Sequence, residues 1–198
     1  MAWRAAGFAP FVIAVNLSPV QFRRGTMENV IRGALDASGL PAAQLELEVT
    51  ESTLIQDSEK FIIALKGLKS LGIRISIDDF GTGYSSLAYL WRFPFDKVKI
   101  DRSFTQGLGS DPKVALIVRS IVTLAHSMEI RVNAEGVETS AQMGALQRYG
   151  CDELQGFLLG RPAPANTLHH RGAVQAPPER PAPRPSALQD LVTQPMPL

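Results

Sequence analysis

Short segments of this 198-residue chain, each alternating apolar with polar residues, end in oxygen-bearing side chains: Asn16, Glu48 with Glu51, Asp78 with Asp79, Glu135 with Glu138, and Gln155. One cation, Lys99, ends a further segment of the same kind. Carboxylates held close together repel and take up protons unless cations neutralise them. Oxygen-only donors, carboxylates with an Asn carbonyl, suit hard divalent ions such as Mg²⁺ or Mn²⁺ rather than zinc. The adjacent pair Asp78-Asp79 could bridge two such ions or divide between them, and two ions ~3.5–4 Å apart form the clamp that phosphoester hydrolysis uses. Lys99 would then orient a water or offset charge on a phosphate; its plainer role is an ion pair with Asp78 or Asp101. Taken singly, each acid also reads as a loop residue or helix N-cap. Five convergent strand ends favour the joint reading.

Other chemistries find less support. His126 falls near a predicted helix end and His169 and His170 begin the tail, so no Ser-His-acid or Cys-His set assembles. A single cysteine, Cys151, excludes an internal disulfide and a cysteine zinc site, and reads as a small buried apolar residue in a reducing compartment. The run Gly81-Thr82-Gly83-Tyr84-Ser85-Ser86 is a weak match to a phosphate cradle and reads better as a flexible loop beside the acidic pair. A net charge of +1 gives no electrostatic case for nucleic-acid binding. No apolar run approaches the ~18 residues that span a bilayer, and Met1–Gly7 is too short for a signal peptide. A cytoplasmic protein without a membrane segment is expected.

These residues need elements to hold them. Strands are predicted near Phe11–Leu17, Gln44–Val49, Arg74–Ile77, Lys97–Ile100, Ile130–Ala134 and Asp152–Gln155, with helices at Met27–Ser38, Glu59–Ser70, Pro112–Met128 and Ser140–Tyr149. Pro112 after Ser110-Asp111 marks a helix start, and Gly39, Gly72 and Gly150 mark helix ends. Alternating strands and helices place the chain in the α/β class with a parallel sheet. Within the strands one set is apolar (Ile13, Val15; Leu45, Leu47, Val49; Ile75, Ile77; Val98, Ile100; Val132) and the other small or polar (Ala14, Asn16; Glu46, Glu48; Ser76, Asp78; Lys97, Lys99; Asn133, Glu135; Glu153, Gln155). An open doubly wound sheet is apolar on both faces. A one-faced pattern fits a barrel whose apolar set meets a helix ring and whose polar set faces the axis, with charge at the C-terminal mouth.

Proline divides the chain: five of fourteen precede residue 160 and nine lie from Pro162 onward. The expected organisation is a domain over residues 1–165 and a Pro-rich, disordered tail over 166–198.

Six segments in order carry a resemblance. Val15-Asn16-Leu17-Ser18-Pro19, Leu47-Glu48-Val49-Thr50-Glu51-Ser52, Ile77-Asp78-Asp79-Phe80-Gly81-Thr82-Gly83-Tyr84-Ser85-Ser86-Leu87, Val98-Lys99-Ile100-Asp101, Ala134-Glu135-Gly136-Val137-Glu138-Thr139 and Leu154-Gln155-Gly156-Phe157, closing on Arg161-Pro162, resemble the motifs of the EAL-domain cyclic di-GMP phosphodiesterases over roughly residues 3–165. The resemblance implies a modified TIM barrel that linearises cyclic di-GMP to pGpG with two Mg²⁺ or Mn²⁺ ions and is inhibited by Ca²⁺. By the same likeness Asn16, Glu48 and Asp78 would bind one metal and Asp78, Asp79 and Glu135 the other. Lys99 and Gln155 would position the hydrolytic water. Glu51 and Glu138 would steady the loop after Asp79, through which family members commonly dimerise. A diguanylate cyclase or sensory domain is a common companion in a parent chain.

One departure accompanies the match. The family's barrel opens with two strands ahead of the Asn-Leu-Ser motif, the second bearing the Glu-Ala-Leu signature whose glutamate is a metal ligand and is followed by a ligand-contacting arginine. Here Trp3–Gly7 looks like the end of the first helix. The expectation is a truncated barrel with six of eight strands, open edges, self-association and little phosphodiesterase activity. The competing readings are a catalytically inactive module that senses nucleotide or binds a partner, and an unrelated acidic-mouth barrel using a Lys base, as in enolase-like enzymes.

Overall fold

The apolar halves of the strands decide the architecture. In the computed structural model, which describes residues 10–18, 27–51, 53, 58–83, 87–93 and 95–164, six parallel strands run side by side in sequence order. They are β1 (Ile13–Asn16), β2 (Leu45–Thr50), β3 (Arg74–Phe80), β4 (Lys97–Ile100), β5 (Arg131–Ala134) and β6 (Glu153–Leu154). Between them lie α1 (Met27–Ser38), a 3₁₀ turn (Ala42–Gln44), α2 (Ser58–Ser70), α3 (Leu87–Arg92), α4 (Arg102–Gly107), α5 (Pro112–Ser127) and α6 (Ser140–Tyr149). An unbroken sequential order of parallel strands is that of a barrel wall, not of a doubly wound sheet whose order reverses at a switch point. The sheet is a curled, partial barrel.

Packing follows the alternation. Leu47, Val49, Ile75, Ile77, Val98, Ile100, Val132 and Ala134 are all buried on the helix side. They meet helical stripes at i, i+4, i+7: Phe61, Leu65 and Leu68 on α2, and Val118, Val122 and Ala125 on α5. The other face buries polar atoms instead, Glu46, Ser76, Lys99 and Asn133 among them. Aromatics brace the approach to β4: Phe93 meets Phe61 edge-on at 6.1 Å and stacks on Phe95 at 5.3 Å.

Local signals match the elements they announce. Asp111 caps α5 through the Lys113 amide with Pro112 in the first turn, and Thr139 and Gln142 form a capping box on α6. The three expected helix ends at Gly39, Gly72 and Gly150 all adopt positive φ. Strand extents differ at the margins: β1 and β6 are shorter than the alternation suggests and β3 runs on to Phe80. The short helices α3 and α4 escape the sequence pattern because six residues make fewer than two turns, too few for an apolar stripe to recur. Trp3–Gly7, Tyr84–Ser86 and the tail from residue 166 lie outside the described residues.

Strands β1 and β6 each have one sheet neighbour among the described residues, and Val15 on β1 remains 46% exposed. Such edges template further pairing. The 198-residue chain by itself is therefore expected to associate with rising concentration in sedimentation velocity; a single monomeric boundary at all concentrations would contradict this. Truncating the fully buried Leu65 to Ala should cost about 2–5 kcal/mol in denaturant unfolding.

Candidate active site

Lys99 is the hub of the barrel mouth. Its Nζ lies 2.6 Å from Glu135 Oε1, 2.9 Å from Glu48 Oε1 and 3.1 Å from Asp78 Oδ1. The acids come from the ends of β2 and β3 and the residue after β5, and Lys99 is 4% exposed at the centre. The plainer pairing with Asp78 thus holds, but Asp101 does not join: it caps α4 through Ser103.

Strand β3 is irregular at its two consecutive aspartates. In a regular strand Asp78 and Asp79 would point to opposite faces. Ile77 pairs with Val98 and Phe80 with Ile100, so in the register two residues, Asp78 and Asp79, stand against one, Lys99, as in a β-bulge. Asp79 adopts φ 54°, a left-handed conformation uncommon for a side-chain-bearing residue. This signal was absent from the sequence pattern, which shows only alternation.

The remaining candidates fall into three positions. Asn16 ends β1 in register with Glu48, at the exposed edge. Gln155 follows β6; its amide donates to Ala134 O and its carbonyl accepts from Val137. Gly156 permits this approach, since a Cβ there would collide with the Val137 backbone. Glu51 is 5% exposed beneath the loop after β3, where its Oε2 accepts the Gly81 amide at 3.2 Å. Glu138 is exposed just before Thr139, the cap of α6, and its backbone amide donates to Gln142. A concavity of about 400 Å³ lies along the inner face, touched by Ala14, Glu46, Glu48, Lys97, Asn133 and Gln155. Deeper in it Lys97 bridges Glu46 and Glu153 at 2.7 Å each.

Charge balance shows what the mouth can accept. Burial, then Asp78 and Asp101, raise the Asp79 pKa. Burial also raises Glu135, with Lys99 opposing and Asp78 and Glu48 reinforcing. Burial works against the Lys99 charge, yet hydrogen bonds to Glu135 and Glu48 outweigh it and push its pKa up. Lys99 rises while its partner Glu135 does not fall, because burial of Glu135 outweighs the opposing Lys99 charge, with Asp78 and Glu48 adding to it. An excess of negative charge on hard oxygen donors, beside an Asn133 Oδ1 that is buried without a partner among the described residues, fits divalent metal ions. With Lys99 drawn among them, no three acids close on one point in ligating geometry among the described residues. Cys151 is no nucleophile: burial and Asp152 push its thiol up to about 12.

The profile of the EAL domain matches residues 1–162. The chain belongs to the EAL domain family. It is 49% identical over 166 residues to the bifunctional diguanylate cyclase/cyclic di-GMP phosphodiesterase MucR of Pseudomonas aeruginosa, covering 84% of this chain and 24% of that protein. It is 42% identical over 163 residues to the cyclic di-GMP phosphodiesterase NbdA of the same organism, covering 82% and 21%. The structure of the PaMucR phosphodiesterase in complex with c-di-GMP superposes with a TM-score of 0.80 at 48% identity, covering 83% of this chain and 67% of that one. The Klebsiella pneumoniae BlrP1 manganese/cy-diGMP complex gives 0.71 at 36% identity over 78% and 40%. The chain thus spans about a quarter of the length of these curated relatives.

Replacing Lys99 by Met should lower stability at pH 7 by about 3–5 kcal/mol, the usual cost of stripping one partner from a buried ion cluster. Sign follows from the shifts. Lys99, raised above 10.5, contributes stability present below that value and lost above it. Glu135, raised above 4.5, favours the fold most when protonated and less as pH rises. K99M should therefore regain part of its loss between pH 7 and pH 5 in thermal melts; equal losses at both would show that carboxylate repulsion is not its cause.

Proposed function

We propose that this chain carries the site of a phosphodiesterase that opens cyclic di-GMP to linear pGpG, with two Mg²⁺ or Mn²⁺ ions in the acidic mouth. What supports the reading is the meeting of Glu48, Asp78 and Glu135 around Lys99 at the C-terminal ends of neighbouring strands. The activities for which the relatives are named and the c-di-GMP bound in the related structures point the same way.

Asn16, Glu48 and Asp78 would hold one ion and Asp78, Asp79 and Glu135 the other. The ions supply Lewis-acid stabilisation of charge on the attacking and leaving oxygens. Lys99, held cationic by its neighbours, and Gln155 would orient the attacking water; its oxygen bonds to phosphorus as the bond to the ribose 3′ oxygen breaks, leaving a 5′ phosphate on the linear product. Glu51 accepts the Gly81 amide in the loop after β3, and Glu138 would help steady the same loop. A homodimer, a cyclase or sensory domain elsewhere in a longer chain, and a cytoplasmic setting complete the proposal. The domain would occupy residues 1–165 and the tail 166–198.

No Glu-Ala-Leu tripeptide occurs in the 198 residues. The resemblance assigns its glutamate to a metal, so the polypeptide by itself is proposed to be impaired in turnover. The second reading, a nucleotide sensor without turnover, rests on the same observation. Purified chain incubated with cyclic di-GMP and Mn²⁺ should bind nucleotide and form pGpG at least about 100-fold more slowly than an EAL domain with a full ligand set, a modest share of the ~10⁶ or more by which enzymes accelerate reactions. D78N should abolish both. Binding without any product favours the sensor; no binding in any divalent ion rejects both readings.

A further inference from the structure

One arrangement occurs twice at the opposite end of the sheet from the acidic mouth. Asp96 immediately precedes β4, and its Oδ2 accepts the Ile75 amide of β3 at 2.7 Å while its own amide donates to Ile75 O at 2.8 Å. Its Oδ1 meets Lys69 Nζ, in the last turn of α2, at 2.6 Å. Asp152 immediately precedes β6, and its Oδ2 accepts the Val132 amide of β5 at 2.7 Å while its own amide donates to Val132 O at 2.9 Å. The same oxygen meets His126 Nε2, in the last turn of α5, at 2.9 Å.

The two units agree in detail. Each helix residue stands six positions before the strand residue whose amide is taken (69 to 75, 126 to 132), and that residue is the second of its strand. In each, one aspartate engages both backbone groups of a single residue on the neighbouring strand, which closes the first rung of the parallel ladder where regular pairing has not begun. A carboxylate acceptor makes that rung stronger than an amide–carbonyl bond. The helix cation or imidazole then ties the rung to the outer layer.

Three residues beyond each aspartate, on the same strand path, stand the two side chains assigned to the attacking water: Lys99 after Asp96 and Gln155 after Asp152. A parallel strand advances about 3.3 Å per residue, and a one-residue slip turns every side chain to the other face. Strand β6 is only two residues long, so it has little ladder of its own to resist slipping or fraying. We propose that Asp96 and Asp152 are positioning residues, paired clasps that set the register of β4 and β6 and so place Lys99 and Gln155. The roles of Lys99 and Gln155 rest on the proposed function above; the clasps themselves do not.

The test uses D96A and D152A, with D96N and D152N, whose side-chain carbonyls can still accept the amide, as conservative variants. Hydrogen exchange is read by NMR on the whole chain, and cyclic di-GMP affinity is measured in Ca²⁺. In D152A the Gln155 amide should exchange at least about tenfold faster while Val49 on β2 keeps its protection, the fold-change expected for a lost charge-assisted hydrogen bond. Both alanine variants should bind nucleotide at least about tenfold more weakly, and both asparagine variants should recover to within about threefold. Should an alanine variant fail to fold, H126A and K69A, which leave the backbone rung in place, take its part with a smaller change in the same direction. Uniform loss of protection across β2 and β6, or asparagine variants as poor as alanine ones, overturns the clasp. If the parent chain binds no nucleotide, the functional reading fails and exchange alone decides the clasp: selective loss at Gln155 upholds it and unchanged Gln155 protection overturns it.

Discussion

One ammonium among several carboxylates is the constraint to which the rest of this structure answers. A group of like charges at the end of a sheet is tolerable only where a cation is held among them, and Lys99 reaches that place because it sits on β4, between the strand that brings Asp78 and the one that leads to Glu135. Its burial depends on the apolar half of the same strand: Val98 and Ile100 face the helices, and their packing fixes which way Lys99 must point. The electrostatics of the mouth is thus set by hydrophobic packing on the far side of the sheet.

The inner face is charged in two tiers, and the tiers differ in balance. In the deeper one Lys97 lies between Glu46 and Glu153, with Arg131 also on Glu153, so opposite charges are matched. At the mouth acids outnumber the cation. A matched tier is structural, while an unmatched one retains capacity for added positive charge.

Period-two alternation in β2, β4 and β5 made the one-faced sheet, and hence the barrel, legible from the sequence, and the residues gathered at the mouth were legible for the same reason. Pro112, Gly39, Gly72 and Gly150 announced helix limits through backbone restrictions that belong to single residues. What stayed hidden was two-body in origin. The bulge at Asp78–Asp79 depends on how β3 meets β4, the sharing of Lys99 among three acids depends on register, and the exposure of Glu138 against the burial of Glu51 depends on which loops touch. No pattern within one strand encodes these.

The irregular rung at Asp78–Asp79 has a wider consequence. Two neighbouring residues stand against one partner in the register, and Asp79 adopts a left-handed backbone there. Such an offset is cut into the backbone: exchanging one side chain for another leaves it in place, so only a change in how β3 meets β4 would remove it.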